Sequence, residues 1–185
     1  VTKSNPLDSI QQKIGFITEN RRDEGLMMTA TVASNLSLVA LPIFKRIFNA
    51  LDEKQIKTAV QEIANRLHIK SGPIDKSEVK GLSGGNQQKV VIGKWLINNP
   101  DILLVDEPTR GVDVGAKFEI YSILNEIVDG GNAGILFISS EIEELMGTCD
   151  RIIVMGNGEV LGSFDREEFN KEKIMRIAFQ EVNNE

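Results

Sequence analysis

Two short apolar segments with a helical segment between them constrain the fold of this chain more than any other feature. The segments are "DILLVDE" (101–107) and "GILFISSE" (134–141), and both end in acidic residues. Runs of this length and composition are typical of strands that are buried on both faces. Because a strand, a helix and a second strand in succession require a crossover connection, the sequence predicts an α/β fold with a mostly parallel sheet.

The segment between the two strands has the periodicity of an amphipathic helix. Asp113 stands where the N-cap residue of this helix is expected, because a carboxylate there accepts hydrogen bonds from N–H groups of the first turn. Apolar residues follow at three- and four-residue spacing, so we predict that one face of the helix covers the sheet. The residues of that face are Val114, Phe118, Tyr121, Leu124 and Val128.

Two other segments have the pattern of strands. "RIIVMGNGEVLGSF" (151–164) has apolar runs on either side of an Asn-Gly pair, which predicts a β-hairpin. "IGFITE" (14–19) is the one strand candidate in the first hundred residues, which otherwise have helical and loop signals. In that part Asp52 is the predicted N-cap of a helix, with Gln55 as its capping-box partner. The apolar stripe of this helix is Ile56, Val60, Ile63 and Leu67.

Composition narrows the class of partner. The chain has 185 residues, of which 41% are hydrophobic and 26% charged, which is enough apolar material for one core with a small subdomain. The net charge of -6 argues against nucleic acid as a partner. Cys149 is the single cysteine, so no internal disulfide is possible. No apolar stretch has the length needed to cross a bilayer, and we expect a soluble chain that can still dock on a membrane protein.

The stretch "LSGGNQQK" (82–89) has the features of an anion-binding turn. Two adjacent glycines precede a predicted helix from Gln87 to about Asn98, and they would let a phosphate approach its N-terminus without interference from a Cβ atom. Ser83 adds a hydroxyl donor. Taken alone, the stretch fits an ordinary serine N-cap with a glycine turn better than it fits a phosphate site.

Two acids end the first predicted strand. Asp106 in such a position can hold a magnesium ion through water, and Glu107 can polarise a water molecule that attacks a γ-phosphate. The alternative is that both acids only solvate the end of the strand. The combination with "LSGGNQQ" upstream and "PTRGVD" immediately downstream is hard to reach by chance, and it favours nucleotide chemistry.

These motifs carry a resemblance to a known family. The stretch from "LSGGNQQ" to "GAKFEIY" (82–121) resembles the signature motif, Walker B strand and D-loop of an ABC-transporter ATPase. More narrowly, it resembles the second nucleotide-binding domain of the tandem ATPases that power bacterial sugar importers of the ribose and galactose type. "GFITENRRDEGL" (15–26) and "FISSEIEELMGTCDRIIVMGNGEV" (137–160) also match that subfamily. Details of "ITENRR" and "GAKFEIY" lean toward galactose or methyl-galactoside importers.

Carried over by position, the resemblance implies a role for each residue of these motifs. The signature residues that clamp ATP are Ser83, Gly84, Gly85, Asn86 and Gln87. Asp106 becomes the acid that holds Mg²⁺ through water, and Glu107 takes the position of the catalytic base. Asp113 becomes the D-loop aspartate, which communicates across a domain interface.

Three departures from the family pattern accompany these matches. No G-x-x-x-x-G-K-[ST] occurs in the sequence, so the phosphate-binding loop is missing. Glu19 occupies the Q-loop position, where the family usually has glutamine. Ser140 occupies the H-loop position, where a switch histidine is expected. The resemblance thus implies a chain truncated before its own phosphate-binding strand, loop and helix, and we expect the isolated chain to be inactive.

The implied fold is an incomplete P-loop NTPase core with an inserted helical subdomain. Residues 1–24 would form a core strand and the Q-loop region, and residues 25–98 a helical subdomain that ends in the signature motif and its helix. Residues 99–185 would form the ATPase core with the Walker B, D-loop and H-loop positions, followed by a hairpin and a C-terminal helix.

The implied function is to complete an ATP site in another domain. The cofactors would be ATP and Mg²⁺, and the partners the first nucleotide-binding domain of the same transporter and membrane permease subunits. Residues 21–41 would dock on the permease at the cytoplasmic face of the bacterial inner membrane, and a sugar-binding protein would be reached only indirectly. Two alternatives stay open at this point: a non-catalytic dimerisation module, and an ABC ATPase of chromosome maintenance or translation. The acidic balance and the absence of a coiled-coil insertion disfavour the second.

Overall fold

The computed structural model of the chain describes residues 5–45, 50–131 and 133–180. They form two compact units, the first ending at Ile138 and the second beginning at Ser139. Within the described residues, no helix is both long enough and apolar enough to cross a membrane.

The first unit contains three strands and most of the helices. In chain order, its main elements are α1 (Pro6–Gln11), β1 (Ile14–Ile17), a π-helical turn (Arg21–Gly25), α2 (Val32–Ser37), α3 (Glu53–Arg66), α4 (Gly84–Leu96), β2 (Ile102–Asp106), α5 (Val114–Asp129) and β3 (Gly134–Ile138). Short 3-10 turns occur at Leu41–Phe44 and Val79–Gly81. The predicted helical stretch between β1 and β2 therefore exists, and residues 25–98 remain a proposed subdomain within this unit.

The three strands form one parallel sheet in the order β1-β2-β3. Ile17 lies opposite Val105, and Val105 lies opposite Phe137. The sheet confirms the predicted α/β class and its crossover. Because parallel strands end at the same edge, the segments after β1 and β2 start side by side, which brings Glu19 close to the edge where Asp106 and Glu107 lie.

One face of the sheet is packed and the other is open. Leu103 and Val105 are fully buried against the helices, whereas 46% of the neighbouring Ile102 is exposed. The prediction that β2 is buried on both faces is therefore wrong. On the packed face, buried residues of the strands, of α4 and of α5 belong to one hydrophobic cluster. The large exposed apolar residues of the strands are Phe16, Ile102, Leu136 and Ile138.

Helix α5 packs through a different face from the one predicted. Ile120, Leu124 and Ile127 are buried, whereas 71% of Val114 and 66% of Phe118 are exposed. The helix has apolar residues around much of its circumference, so two sets of residues have helical spacing, and Leu124 belongs to both. The set that contains Ile120 packs against the core, and the set that contains Phe118 does not. The predicted N-cap is confirmed, because Asp113 Oδ1 accepts a hydrogen bond of 3.0 Å from the N–H of Ala116.

Helix α3 has the predicted N-cap and stripe. The N–H of Asp52, which the predicted capping box pairs with the side chain of Gln55, donates instead to the carbonyl oxygen of Phe44 at 2.9 Å. Asp52 Oδ1 accepts a hydrogen bond of 3.1 Å from the N–H of Gln55. Val60, Ile63 and Leu67 are buried, and Ile56 packs partly buried against the same core. The helices of this region pack so closely that a Cβ atom on Gly93 of α4 would lie 2.8 Å from Leu36 Cδ2. The helical part thus forms one core with the sheet.

An ion pair between a buried lysine and a half-exposed glutamate ties α4 to α5. Lys89 Nζ lies 2.7 Å from Glu119 Oε2, and 5% of the lysine side chain is exposed. The same ammonium donates a hydrogen bond to the carbonyl oxygen of His68, at the end of α3. The hydrogen bond from Lys89 lowers the pKa of the Glu119 carboxyl below its ordinary value.

We expect Glu119→Gln to destabilise the chain by about 1–2 kcal/mol, because it leaves the Lys89 ammonium buried without its counterion while the replaced carboxylate is half exposed. Since the folded-state pKa of Glu119 is lowered, its contribution is present above the ordinary glutamate pKa of about 4.3 and is lost as pH falls below it. Urea midpoints measured at neutral pH and on acidification check both points. An equal loss of stability on acidification in the parent and the variant would contradict the pH assignment.

The second unit consists of α6 (Ile142–Thr148), β4 (Arg151–Gly156), β5 (Glu159–Asp165) and α7 (Lys171–Gln180). The predicted hairpin is confirmed: β4 and β5 pair antiparallel, and both turn residues, Asn157 and Gly158, have positive φ angles (47° and 82°). This geometry is the one that Asn-Gly favours in a two-residue turn. A small core of its own holds the unit together, formed by Ile152, Val154, Phe164 and Ile174.

The sheet of the first unit has open edges among the described residues, because β1 and β3 each pair on one side only. Unpaired edges next to exposed apolar side chains favour association between copies of a chain. We expect the purified chain to self-associate as its concentration rises, which sedimentation velocity measures. A strictly monomeric chain with a sharp, highly cooperative melt would contradict this expectation.

Candidate functional site

The signature stretch forms the N-terminus of α4. Ser83 is the N-cap residue, and its Oγ accepts hydrogen bonds from Asn86, 3.4 Å from the backbone nitrogen and 2.9 Å from Nδ2. The helix begins at Gly84, three residues earlier than predicted, so the two glycines form its first turn rather than a turn before it. N–H groups of a first turn lack partners within the helix and lie at the positive end of its dipole. This end of α4 is therefore suited to an anion.

Two signature side chains turn inward or toward neighbouring loops. Gln87 is 1% exposed, and its Nε2 donates to the carbonyl oxygen of Leu82 at 3.1 Å. Asn86 Oδ1 accepts a hydrogen bond of 2.7 Å from the N–H of Lys70. Gln87 and Asn86 thus hold the segments that lead up to Ser83, and the predicted contact of the Gln87 side chain with nucleotide stays a prediction.

The signature glycines are required by packing within the chain. A Cβ atom on Gly84 would lie 3.0 Å from Arg21 Nη2 and 3.1 Å from the carbonyl oxygen of Gly111. A Cβ atom on Gly85 would lie 2.5 Å from Cβ of Ala116, in the first turn of α5. The sequence predicts that both glycines allow a phosphate to approach the helix. The structure adds a second reason for glycine at these positions, which is the close packing against Arg21, Gly111 and Ala116.

We expect Gly85→Ala to destabilise the chain by about 1–3 kcal/mol, since its methyl group overlaps that of Ala116. Ala116→Gly removes the overlapping methyl, so the double variant should recover part of the lost stability. Thermal melts of the parent, the single variants and the double variant measure this. Gly81→Ala is the matched control, because nothing lies within 4 Å of a Cβ at Gly81. Additive losses in the double variant would contradict the contact.

The end of β2 carries the two acids in different backbone conformations. Asp106 is half-buried at the last strand position. Glu107 has a φ angle of 43°, which is uncommon for a residue other than glycine. Its N–H donates to the carbonyl oxygen of Ile138 at 3.0 Å, and its own carbonyl accepts from the N–H of Arg110 at 3.1 Å. Strained conformations of this kind often occur at functional sites, so this geometry is consistent with Glu107 as a candidate functional residue.

The loop that follows, residues 107–113, is fixed by the segment after β1. The carboxylate of Glu19 pairs with the guanidinium of Arg110. Arg21 donates from Nη1 to the carbonyl oxygen of Arg110 at 2.7 Å and from Nη2 to that of Gly111 at 3.1 Å. Burial lowers the pKa of Arg21, and the nearby charge of Arg22 lowers it further. The structure therefore brings the Q-loop position together with the loop between the Walker B acids and Asp113.

Ser140 lies in the second unit, immediately before α6. Its neighbour Ser139 makes the local capping contacts: its Oγ accepts from the N–H of Glu141 at 3.0 Å and donates to Glu144 Oε2 at 2.9 Å. The role of Ser140 at the H-loop position stays a prediction.

An open recess of about 640 Å³ adjoins the start of α4. Three lysines and three serines lie along its wall together with Asn86, and Glu78 pairs with one of the lysines. Its basic and hydroxyl-bearing residues are Lys70, Lys76, Lys80, Ser71, Ser77 and Ser83. A recess with this lining favours a negatively charged ligand next to the signature residues.

The residues that end β2 fit magnesium only as part of a larger ligand set. In the described part of the chain, no group of three or more His, Cys, Asp or Glu side chains is placed to hold a metal ion. Mg²⁺ in nucleotide sites is usually held by one or two carboxylates, water and phosphate oxygens. Asp106, with Glu107 beside it, matches the protein's share of such a set.

Comparison with known proteins identifies the family. The sequence profile of the ABC transporter family matches residues 1–110, and this chain belongs to that family. It is similar to the ribose import ATP-binding protein RbsA of Streptococcus agalactiae, with 48% identity over 96% of this chain and 36% of the relative. It is also similar to the xylose import ATP-binding protein XylG of Geobacillus kaustophilus, with 46% identity over 94% of this chain and 34% of the relative. The chain thus spans about a third of the length of these curated relatives.

Solved structures confirm the fold. A dimeric ATP-binding cassette in a post-hydrolysis state, bound to ADP and phosphate, has a TM-score of 0.71 and 26% identity, over 90% of this chain and 70% of that one. A nucleotide-free ATP-binding cassette from an ABC transporter has a TM-score of 0.75 and 22% identity, over 96% of this chain and 72% of that one. The predicted α/β fold of the ABC ATPase class is therefore confirmed.

Proposed function

We propose that this chain is the signature-bearing part of the ATP-binding subunit of a bacterial sugar importer, and that it completes an ATP site whose phosphate loop belongs to a partner domain. The observation that carries the proposal is the first turn of α4. Ser83 caps it, its glycines pack against the 107–113 loop, and a lysine-lined recess adjoins it. In the proposed site, this turn receives a phosphate that the partner domain holds.

The sequence supports a site completed in trans. None of the 185 residues forms a G-x-x-x-x-G-K-[ST] motif, so a phosphate loop that faces α4 lies outside these residues. The similar cassette bound to ADP and phosphate is dimeric. Within a tandem ATPase, this chain would correspond to the second nucleotide-binding domain, and the first domain would be its partner.

The chemistry assigned to this chain follows from where its residues lie. The hydroxyl of Ser83 and the N–H groups at Gly84 and Gly85 would hold the γ-phosphate through charge-assisted hydrogen bonds. Mg²⁺, when bound, neutralises charge on the phosphate oxygens. Asp106 would hold its water shell beside this domain's own site, and Glu107 would orient a water molecule there.

A surface for the permease is proposed over residues 21–41. Within and next to this segment, Met27, Leu38 and Ile43 have exposed apolar side chains. A contiguous apolar patch at this surface would suit contact with another protein, whereas single exposed apolar residues are ordinary on protein surfaces. Docking there would place the chain at the cytoplasmic face of the inner membrane, with the sugar-binding protein reached only through the permease.

Uptake of labelled sugars tests the proposed function. Cells with the full-length gene deleted are compared with cells complemented by the parent gene, using ribose, xylose and galactose in parallel. The two relatives described above are named for ribose and xylose, and details of "ITENRR" and "GAKFEIY" lean toward galactose importers. We expect the deletion to abolish uptake of one of them. Unchanged uptake of all three sugars would contradict a role in importing this class of sugar.

A second candidate function is a non-catalytic dimerisation module. It is favoured by the open sheet face, where Phe16, Leu136 and Ile138 are exposed. Association of such a module would not depend on ATP. The effect of ATP on association with the first domain therefore separates the two functions.

A further inference from the structure

Arg21 is a buried cation at the junction of three segments of the candidate site. It opens the π-helical turn Arg21–Gly25 that follows β1, and 9% of it is exposed. Its guanidinium donates to the carbonyl oxygens of Arg110 and Gly111 in the 107–113 loop. The same group lies against Gly84, where a Cβ atom would be 3.0 Å from Nη2. One side chain thus contacts the loop and the start of α4 together.

The burial of this group is not explained by an ion pair. In the part of the chain that the structure describes, the hydrogen-bond partners of the Arg21 guanidinium are backbone carbonyls, and Nε is buried without a partner. A cation placed in this way costs stability, because its desolvation is not offset by a carboxylate. What this position gives in return is geometric, because the two hydrogen bonds hold the backbone of the 107–113 loop.

The two carbonyls that accept from Arg21 lie between the catalytic-base position and the D-loop. The N–H of Arg110 donates to the carbonyl oxygen of Glu107, which closes the turn after Glu107, and Gly111 leads to Asp113, the N-cap of α5. The fork of the guanidinium donates two parallel hydrogen bonds in fixed directions. Its contacts therefore fix the distance between the first turn of α4 and the 107–113 loop.

We propose that Arg21 is a positioning residue that holds the first turn of α4 in register with the 107–113 loop. The inference rests on the proposed function of α4 as the phosphate-facing element. Arg21 does not touch the nucleotide. It acts through Gly84, Arg110 and Gly111. When the first turn of α4 closes over a phosphate, the 107–113 loop and Asp113 at its end therefore move with it.

Lys94 provides a matched control. Like Arg21 it is a buried cation, 7% exposed, that donates to a backbone carbonyl, here Gly25 O at 2.6 Å, and burial lowers its pKa. It also joins α4 to the π-helical turn, but its acceptor, Gly25, is the last residue of that turn. Lys94 thus has the burial and chemistry of Arg21 without the contact to the 107–113 loop.

The experiment compares Arg21→Met, Arg21→Lys and Lys94→Met in the full-length ATPase assembled with its permease, with melting temperature, kcat and KM for ATP measured for each. We expect Arg21→Met to lower kcat by about tenfold to a hundredfold, with a smaller change in KM, since misplaced groups slow the chemical step. Arg21→Lys, which can donate to the carbonyls but lacks the fork, should recover part of kcat. Lys94→Met should keep kcat within about threefold of the parent.

Two results would overturn the inference: a kcat of Arg21→Met close to that of the parent, or equal losses in Arg21→Met and Lys94→Met that follow their melting temperatures. If Arg21→Met does not assemble, Arg21→Lys decides, and a parental kcat in that variant counts against the inference. Gly84→Asp is measured in parallel. If Gly84→Asp loses turnover while the Arg21 variants keep it, only the role of Arg21 is rejected. If Gly84→Asp keeps normal turnover, the proposed function is rejected.

Discussion

Gly84→Asp in the full-length transporter is expected to abolish most ATP turnover and sugar uptake. The new carboxylate would stand at the first turn of α4, where it repels phosphate and covers the N–H groups. Its Cβ would also press on Arg21 Nη2 and on the carbonyl oxygen of Gly111, at 3.0 and 3.1 Å. Since loss of one preorganised donor to a transition state costs about 10²–10³-fold, we expect a loss of at least that size in steady-state phosphate release.

Gly81→Asp is the matched control for charge, because nothing lies within 4 Å of a Cβ at this position. It introduces the same carboxylate on the wall of the lysine-lined recess, next to the signature, without crowding Arg21 or the 107–113 loop. We expect it to keep most of the turnover. A loss equal to that of Gly84→Asp would assign the effect to charge rather than to the first turn of α4.

Glu107→Gln should be comparatively mild. Glu107 faces this domain's own proposed site, where Glu19 occupies the Q-loop position and is paired with Arg110. In the sequence, Ser140 stands where the family has its switch histidine. A working general base contributes about 10²–10⁴-fold, so its loss would be visible in phosphate release. Equal losses in Gly84→Asp and Glu107→Gln, with both proteins folded and assembled on the permease, would contradict the asymmetry and make Glu107 catalytic.

The 185-residue chain by itself is expected to bind ATP orders of magnitude more weakly than a nucleotide-binding domain with a phosphate loop. Such a loop supplies several backbone donors and a lysine, and each charge-assisted hydrogen bond contributes about 1.5–3 kcal/mol. The first turn of α4 and its lysine-lined recess replace only part of these contacts. Calorimetric titration measures the affinity, and micromolar binding by the chain alone would contradict the prediction.

Local chemistry predicted the parts of the fold that depend on a few neighbouring residues. The strands at Ile14–Ile17, Ile102–Asp106 and Gly134–Ile138 follow from short apolar runs. The caps at Ser83 and Asp113 follow from a side-chain oxygen placed before a helix. In each case the signal and the structure it specifies lie within the same few residues, so no tertiary information is needed.

The predictions that are wrong concern features for which the local sequence allows two structures and tertiary packing selects one. Helix α5 offers two apolar stripes, and the sequence does not show which of Ile120 and Phe118 meets the sheet. The start of α4 was placed at Gln87 because glycines are poor helix formers, yet Ser83 caps the helix from Gly84. The uncovered face of β2 was missed because an apolar run does not reveal whether a helix covers both faces.

The contacts of Arg21 were not predictable from the sequence. Its partners, Arg110 and Gly111, lie about ninety residues away, and no motif joins the two segments. The one signal was a pair of arginines directly after a strand that ends at the Q-loop position. A cation there is usually solvated, so only the fold shows that Arg21 is buried.

The most direct test of the central claim is ATP-dependent association of this chain with the first nucleotide-binding domain of the same transporter, measured by sedimentation velocity with and without ATP and Mg²⁺. The first domain would carry a substitution that blocks hydrolysis, and the chain would be used as the parent and as Gly84→Asp. The account predicts a 1:1 complex that forms with ATP and the parent chain but not with Gly84→Asp. A complex that forms equally without ATP, or equally with Gly84→Asp, would contradict the claim that this chain completes its partner's ATP site.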